Sequence, residues 1–241
     1  MSLRAIFFDA GNTLLRMNYA DITAALGQRA VATTVEAVRR AEWQARVRLD
    51  ADVLVHASST ESRSTHLRYL RYLLEGLGVT DEPTIDVMDA WRRAYEGPGG
   101  LWNTADPDAG AALDAVRAAG LRSAVISNSN GTIRSLVTRL GLVDRLDFVV
   151  DSAEEGVEKP DPRIFEIALA RAGVKPEEAA YIGDLYSIDV RGARRVGLRP
   201  VLLDPGECWG ERDCDTARTV LDAVRLLVEG HGGPRNGPTA S

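Results

Sequence analysis

The sequence predicts an α/β fold: a Rossmann-like three-layer sandwich with a parallel sheet, plus an inserted all-helical cap. Three observations carry this. Short apolar runs end repeatedly in a polar residue, helices with clear caps alternate with such runs from residue 101 to about 204, and residues 16 to 100 carry helical spacing without a strand-like run. The chain has 241 residues, enough for one domain with a large insertion or for two. Residues 1–15 and 101–229 are expected to form the core, 16–100 the cap, and 230–241, rich in Gly and Pro, a disordered tail.

Leu3 to Phe8 is an apolar run that stops at Asp9, as a fully buried parallel strand would. Leu67, Leu70, Leu74 and Leu77 then follow helical spacing, as do Ile85, Met88 and Tyr95, and Asp21 to Leu49 is rich in helix formers. Gly97-Pro98-Gly99-Gly100 is the expected return hinge. Asp106-Pro107 reads as an N-cap with proline in the first turn, and Gly120 as the stop of that helix. Asp161-Pro162 repeats the device, closed by Gly173. Further strands are expected at Ser123–Ser127, Phe148–Asp151, Ala180–Asp184 and Pro200–Asp204, with a last helix near residues 215 to 229. Ligands in such sheets bind beyond the carboxyl ends of the strands, where Asp9, Ser127, Asp151 and Asp184 fall.

Composition narrows the function. With 29 basic against 35 acidic residues the chain carries a formal charge of −6, which offers no footprint for nucleic-acid phosphates or anionic lipid. No signal-peptide pattern and no stretch of membrane-spanning length is present, so a cytoplasmic protein with a small-molecule partner is expected. Cys208 and Cys214 have no zinc-like spacing and read as surface or packing thiols. The oligomeric state is not encoded in any motif.

Four polar clusters sit in order at predicted strand ends: Phe8-Asp9-Ala10-Gly11-Asn12-Thr13, Ile126-Ser127-Asn128, Val157-Glu158-Lys159-Pro160-Asp161-Pro162, and Ile182-Gly183-Asp184 through Asp189. With these motifs the chain, over about residues 3 to 205, resembles the haloacid dehalogenase-like superfamily, in the branch whose helical cap lies between the first and second motifs. An ionised Asp9 is a competent oxygen nucleophile. Its approach to a phosphate dianion needs a cation, and Asp9 with Asp184 offers hard oxygen ligands suited to Mg2+. Asp189 is a third-ligand or supporting candidate. The resemblance adds the backbone carbonyl of Gly11 as a ligand. Ser127 and Lys159 are expected to stabilise the phosphoryl oxygens. Thr13, by resemblance, orients the nucleophile loop, and Asn128 has a similar substrate-facing role. The place of Lys159 before Pro160 predicts a solvent-reachable ammonium whose removal costs little stability.

Gly11 departs from the family pattern, in which phosphatases carry a second aspartate as general acid and base. General acid–base help is worth about 10² to 10⁴ in rate, so cleavage is expected to depend steeply on the leaving group, and Gly11→Asp to restore alkyl phosphate hydrolysis. The reading is therefore a magnesium-dependent phosphatase working through an aspartyl phosphate. The alternatives are a 2-haloacid dehalogenase-type hydrolase and a non-catalytic regulatory or binding protein. A Schiff-base phosphonate hydrolase is disfavoured because residues 16 to 100 contain no lysine. Among cap residues, Trp43, Tyr69, Tyr72, Trp91 and Tyr95 could line a pocket but are expected chiefly in the cap core, and Arg46, Arg63, Arg68, Arg92 and Arg93 could grip an anionic substrate but are expected largely in solvent. His56 and His66 receive no role.

Overall fold

Ala5–Phe8 has four apolar side chains and no polar one, so it needs cover on both faces, and it forms β1, the strand that the sheet surrounds. The computed structural model describes residues 2–56, 59–95 and 100–232. After β1 comes β2 (Leu15–Arg16), then four helices: α1 (Tyr19–Gly27), α2 (Val35–His56), α3 (Arg63–Gly76) and α4 (Glu82–Ala94). The chain returns through β3 (Thr104–Ala105), antiparallel to β2. Then follow α5 (Ala109–Ala118), β4 (Arg122–Ser127), α6 (Ile133–Arg139), β5 (Phe148–Asp151), α7 (Ser152–Glu155), α8 (Pro162–Ala172) and β6 (Ala179–Gly183). A π-helical turn at Tyr186–Val190 leads into α9 (Arg191–Arg195), β7 (Arg199–Leu203), β8 (Asp215–Ala217) and α10 (Val220–Gly232).

Six strands form one parallel sheet in the order β5-β4-β1-β6-β7-β8. The two-residue alternation of a strand sends Ile6 and Phe8 to one face, against Leu113, Leu136 and Leu227 of α5, α6 and α10. Ala5 and Phe7 face the other side, against Phe165 and Leu169 of α8 and Ala193 of α9. Each fully buried Phe or Ile contributes about 1.5–3 kcal/mol. The connections after β1 and β4 run over the first face, those after β5 and β6 over the second. Neighbouring strands β1 and β6 thus part at their carboxyl ends, and this switch point is where Asp9 and Asp184 emerge.

Helices α1–α4 bury a separate cluster that includes Ile22, Leu26, Leu49, Leu73, Ile85 and Met88. Ser62 and Asp81 cap α3 and α4 with side-chain bonds to Thr65 N and Thr84 N. This helical layer rests on the core through α2, which packs on the turn Tyr186–Val190.

The structure corrects several boundaries. Asp106 does not cap α5; its carboxylate takes Asp108 N and Arg16 Nε instead, and the helix begins at Ala109. Asp161 does cap α8, and Gly120 and Gly173 take the left-handed conformation expected of helix stops. Residues 215–217, read as helix, form the edge strand β8, and α10 extends to Gly232, into the expected tail. Residues 233–241 of that tail and 97–99 of the expected hinge lie outside the described residues.

Candidate active site

Backbone geometry at the end of β1 presents Asp9 to the switch point. Asp9 N donates to Ile182 O of β6, and Leu14 N and Leu15 N both donate to Ala10 O, curling the loop tightly. Asn12 takes a left-handed φ of 55°, which asparagine tolerates better than most residues. Thr13 is fully buried, its Oγ1 without a partner among the described residues.

Lys159 is not the solvent-reachable ammonium that its loop suggested. It is 4% exposed, and Nζ donates to Asp9 Oδ1 at 2.5 Å, Asp189 Oδ1 at 2.8 Å and Tyr181 OH at 2.9 Å. All three N–H bonds are used. Burial alone would lower its pKa, but the Asp189 and Asp9 carboxylates overcome that and hold it above the ordinary lysine value. Burial pushes the Asp9 carboxyl up to about 6, against the pull of Lys159 and helped by the negative charge of Asp189.

Asp189 accepts four hydrogen bonds, from Lys159 Nζ and Tyr181 OH on one oxygen and from Asp184 N and Leu185 N on the other. It reaches them because residue 183 is glycine: a Cβ there would lie 2.4 Å from Asp189 Cγ. The Gly183-Asp184 motif therefore has a steric reason. Ser127 is buried at the end of β4, with Oγ donating to Asn128 O. Asn128 bonds both the N–H and the carbonyl of Lys159 and donates to Thr60 Oγ1 from the helical layer. Asn128 thus holds the Lys159 loop. Asp151, also at a strand end, is turned away to cap α7 and accept from Ser129 Oγ.

Asp184 meets the helical layer directly. Its Oδ2 accepts from Asn12 Nδ2 at 3.1 Å and lies 3.4 Å from Arg46 Nη1 of α2. Arg46 is 3% exposed, not solvated, and grips Glu42 with Nε and Nη2 at 2.9 and 2.5 Å. Glu42, with no exposure, also accepts from Tyr19 OH and Tyr69 OH. A few residues on, Asp50 Oδ1 takes both the N–H and the hydroxyl of Ser187. Burial drives the Asp184 carboxyl well above its ordinary range, Arg46 opposing and Asp9 adding to the effect.

Oxygen atoms of Asp9, Asp184 and Asp189 lie within 4.8 Å of one another, and they form the metal-capable cluster among the described residues. The buried charges around them do not balance: Asp9, Asp184 and Asp189, with Glu42 and Asp50 of α2, outnumber the two cations, Lys159 and Arg46. The excess of negative charge, with hard oxygen donors, fits a divalent cation of the magnesium type.

A cleft of about 290 Å³ opens above these groups, with Asp9, Ser127 and Lys159 at its floor and Glu61, Leu73 and Trp102 on its walls. Trp102 covers Gly11: a Cβ on Gly11 would sit 3.5 Å from the indole, whose Nε1 donates to Asn12 Oδ1. Of the aromatic residues expected in the cap core, Tyr69 is buried in it and also stacks on Trp102 and lines the cleft. Trp91 and Tyr95 pack on each other at 5.3 Å. Arg92 and Arg93 pair with Asp89. His66 also lines the cleft, its pKa lowered by burial and by Arg92. The His56 side chain lies outside the described residues, and both cysteines are free. Glu42, and the burial of its pair with Arg46, gave no warning in the sequence, because charges four apart on a helix ordinarily mark a solvated face.

A family model described as haloacid dehalogenase-like hydrolase matches residues 3–197. The chain is 33% identical over 180 residues to the glyceraldehyde 3-phosphate phosphatase of Methanopyrus kandleri, covering 70% of this chain and 76% of that protein. Matches to two other curated relatives span 38% and 54% of those proteins' lengths. Among solved structures, a HAD phosphatase from Thermococcus onnurineus superposes with a TM-score of 0.57 at 20% identity, covering 93% of this chain and 98% of that one. An L-2-haloacid dehalogenase from Xanthobacter autotrophicus gives 0.57 at 22% identity, with coverage of 93% and 98%. One fold accommodates both chemistries. Among the described residues no helix is long and apolar enough to cross a membrane.

Proposed function

The chain belongs to the haloacid dehalogenase-like hydrolases, and on that premise we propose that it is a magnesium-dependent phosphohydrolase acting on a small phosphorylated molecule through an aspartyl phosphate on Asp9. The observation that carries this is the cluster of buried carboxylates around Asp9 and Asp184: displacement of halide from carbon needs no divalent cation, whereas a phosphate dianion approaching Asp9 does, and the cluster offers the ligands to hold one. Residues 1–15 and 101–229 act as the catalytic core and 16–100 as the cap. Asp9 and Asp184, with the Gly11 carbonyl, would hold the magnesium ion, which supplies the positive charge that lets carboxylate and phosphate approach.

Asp9 forms a bond to phosphorus as the bond to the leaving oxygen breaks. Lys159 hydrogen-bonds the nucleophile and sets a fixed positive charge beside the transferring phosphoryl group. Asp189 and Tyr181 hold that ammonium in place, and Asp189 supports the Asp184 loop through two backbone amides. Ser127 stabilises a phosphoryl oxygen from the end of β4, Thr13 backs the nucleophile loop, and Asn128 keeps the Lys159 loop in register. Water then cleaves the aspartyl phosphate.

A panel of aryl, acyl and alkyl phosphates assayed with and without magnesium tests the reading. Phosphate release that needs magnesium is expected; metal-independent halide release from a 2-haloacid, with no phosphate release, overturns it.

A further inference from the structure

The Gly11 position has no proton to give, yet the cleft is not without a carboxyl group that could give one. Glu61 stands on its wall, in the segment between α2 and α3, and the same cleft has Asp9, Ser127 and Lys159 at its floor. The segment that carries Glu61 is fastened to both catalytic loops. Ser59 Oγ donates to Glu158 Oε2 at 2.7 Å, next to Lys159, and Asn128 Nδ2 donates to Thr60 Oγ1 at 2.9 Å. From the other side, Glu61 N donates to Ser59 Oγ, Thr65 Oγ1 donates to Ser59 O, and Ser62 caps α3. No hydrogen bond among the described residues engages the Glu61 carboxyl.

We propose that Glu61, delivered by the cap over the nucleophile, is the general acid and base that Gly11 cannot be. This rests on the phosphohydrolase reading above. As Asp9 bonds to phosphorus and the ester P–O bond breaks, the Glu61 carboxylic acid gives its proton to the departing oxygen, which leaves as an alcohol. Glu61, now a carboxylate, takes a proton from water as that water's oxygen bonds to phosphorus and the bond to Asp9 breaks. Inorganic phosphate leaves, and both carboxyl groups return to their starting states.

The electrostatics agree. Glu61 is exposed to solvent at the cleft; the protein around it and the negative charges of Glu158 and Asp9 push its carboxyl up, to about 7, with Lys159 opposing and Asp151 adding slightly. A group balanced near neutrality suits both transfers. The protonated form serves the first step and is lost as pH rises through about 7; the ionised form serves the second and is lost as pH falls.

The test compares wild type, Glu61→Gln and Glu61→Asp in magnesium buffer, by first-turnover kinetics on p-nitrophenyl phosphate and on an alkyl phosphate, across pH. Wild type is expected to cleave the alkyl ester without a burst. Glu61→Gln should lose about 10²–10⁴ in first-turnover rate on the alkyl ester while keeping the aryl first turnover, which then shows a burst and a slow steady state. The pH limb near 7 should vanish, and Glu61→Asp should recover part of the alkyl rate. Equal losses on both esters, or an unchanged leaving-group dependence, would overturn the role of Glu61 and leave the phosphohydrolase reading intact. Wild type that cleaves neither ester but releases halide from a 2-haloacid would overturn both.

Discussion

Gly11 has two consequences at the scale of one residue: it withholds an acid, and it makes room for Trp102. A Cβ at position 11 would meet the indole at 3.5 Å, an ordinary van der Waals contact, so an aspartate fits at its root although its carboxylate must share space with the ring. In a Glu61→Gln background, Gly11→Asp is therefore expected to restore alkyl phosphate turnover by at least tenfold, measured against Gly11→Ala in the same background. No recovery would mean that Trp102 prevents the new carboxyl from reaching the leaving oxygen. Lys159 shows the opposite situation, a side chain whose chemistry was foreseen and whose surroundings were not. With three acceptors around a buried ammonium, any substitution there perturbs folding and chemistry together, whereas Glu61 and Gly11 separate the two.

At the scale of an element, α2 is the part of the helical layer that touches the metal-capable cluster. Its Glu42–Arg46 pair is buried, and breaking a buried pair by removing one partner is strongly destabilising. Arg46→Met is expected to lower unfolding stability by about 3–5 kcal/mol, because Glu42 would be left buried with only tyrosine hydroxyls as donors. Adding Glu42→Gln should recover much of that loss, and a double-mutant cycle in urea would read the coupling. Independent, additive losses would show that the pair does not act as a unit. Asp50 on the same helix ties Ser187 by backbone and hydroxyl, so α2 is joined to the core at two points along its length.

For the whole molecule, the sheet order decides where everything converges. Parallel strands with connections leaving on opposite faces open a crevice between β1 and β6, and the four motif clusters arrive there from four separate stretches of chain. The result is a buried group of carboxylates short of positive charge. Titration calorimetry of magnesium into wild type and Asp184→Asn checks this: binding is expected in the first and a loss of at least tenfold in affinity in the second, with a matching rise in thermal stability for wild type alone. Equal binding by the two proteins would remove Asp184 from the metal site.

What the sequence determined by itself is what local pattern encodes. Apolar runs ending in Asp9, Ser127 and Asp184 specify buried parallel strands and their functional ends, and Asp161-Pro162 with Gly173 brackets α8. Motif spacing then brings the nucleophile, lysine and acid pair to one edge. The tertiary structure decided the rest. It turned Asp106 from a helix cap into a partner of Arg16, made residues 215–217 an edge strand, buried Lys159 and Arg46, and set Glu61 over the cleft. These outcomes share a physical reason: a charged side chain carries the same local signal whether it faces water or a partner. Only the fold, by bringing separate segments of the chain into contact, determines which partner it meets.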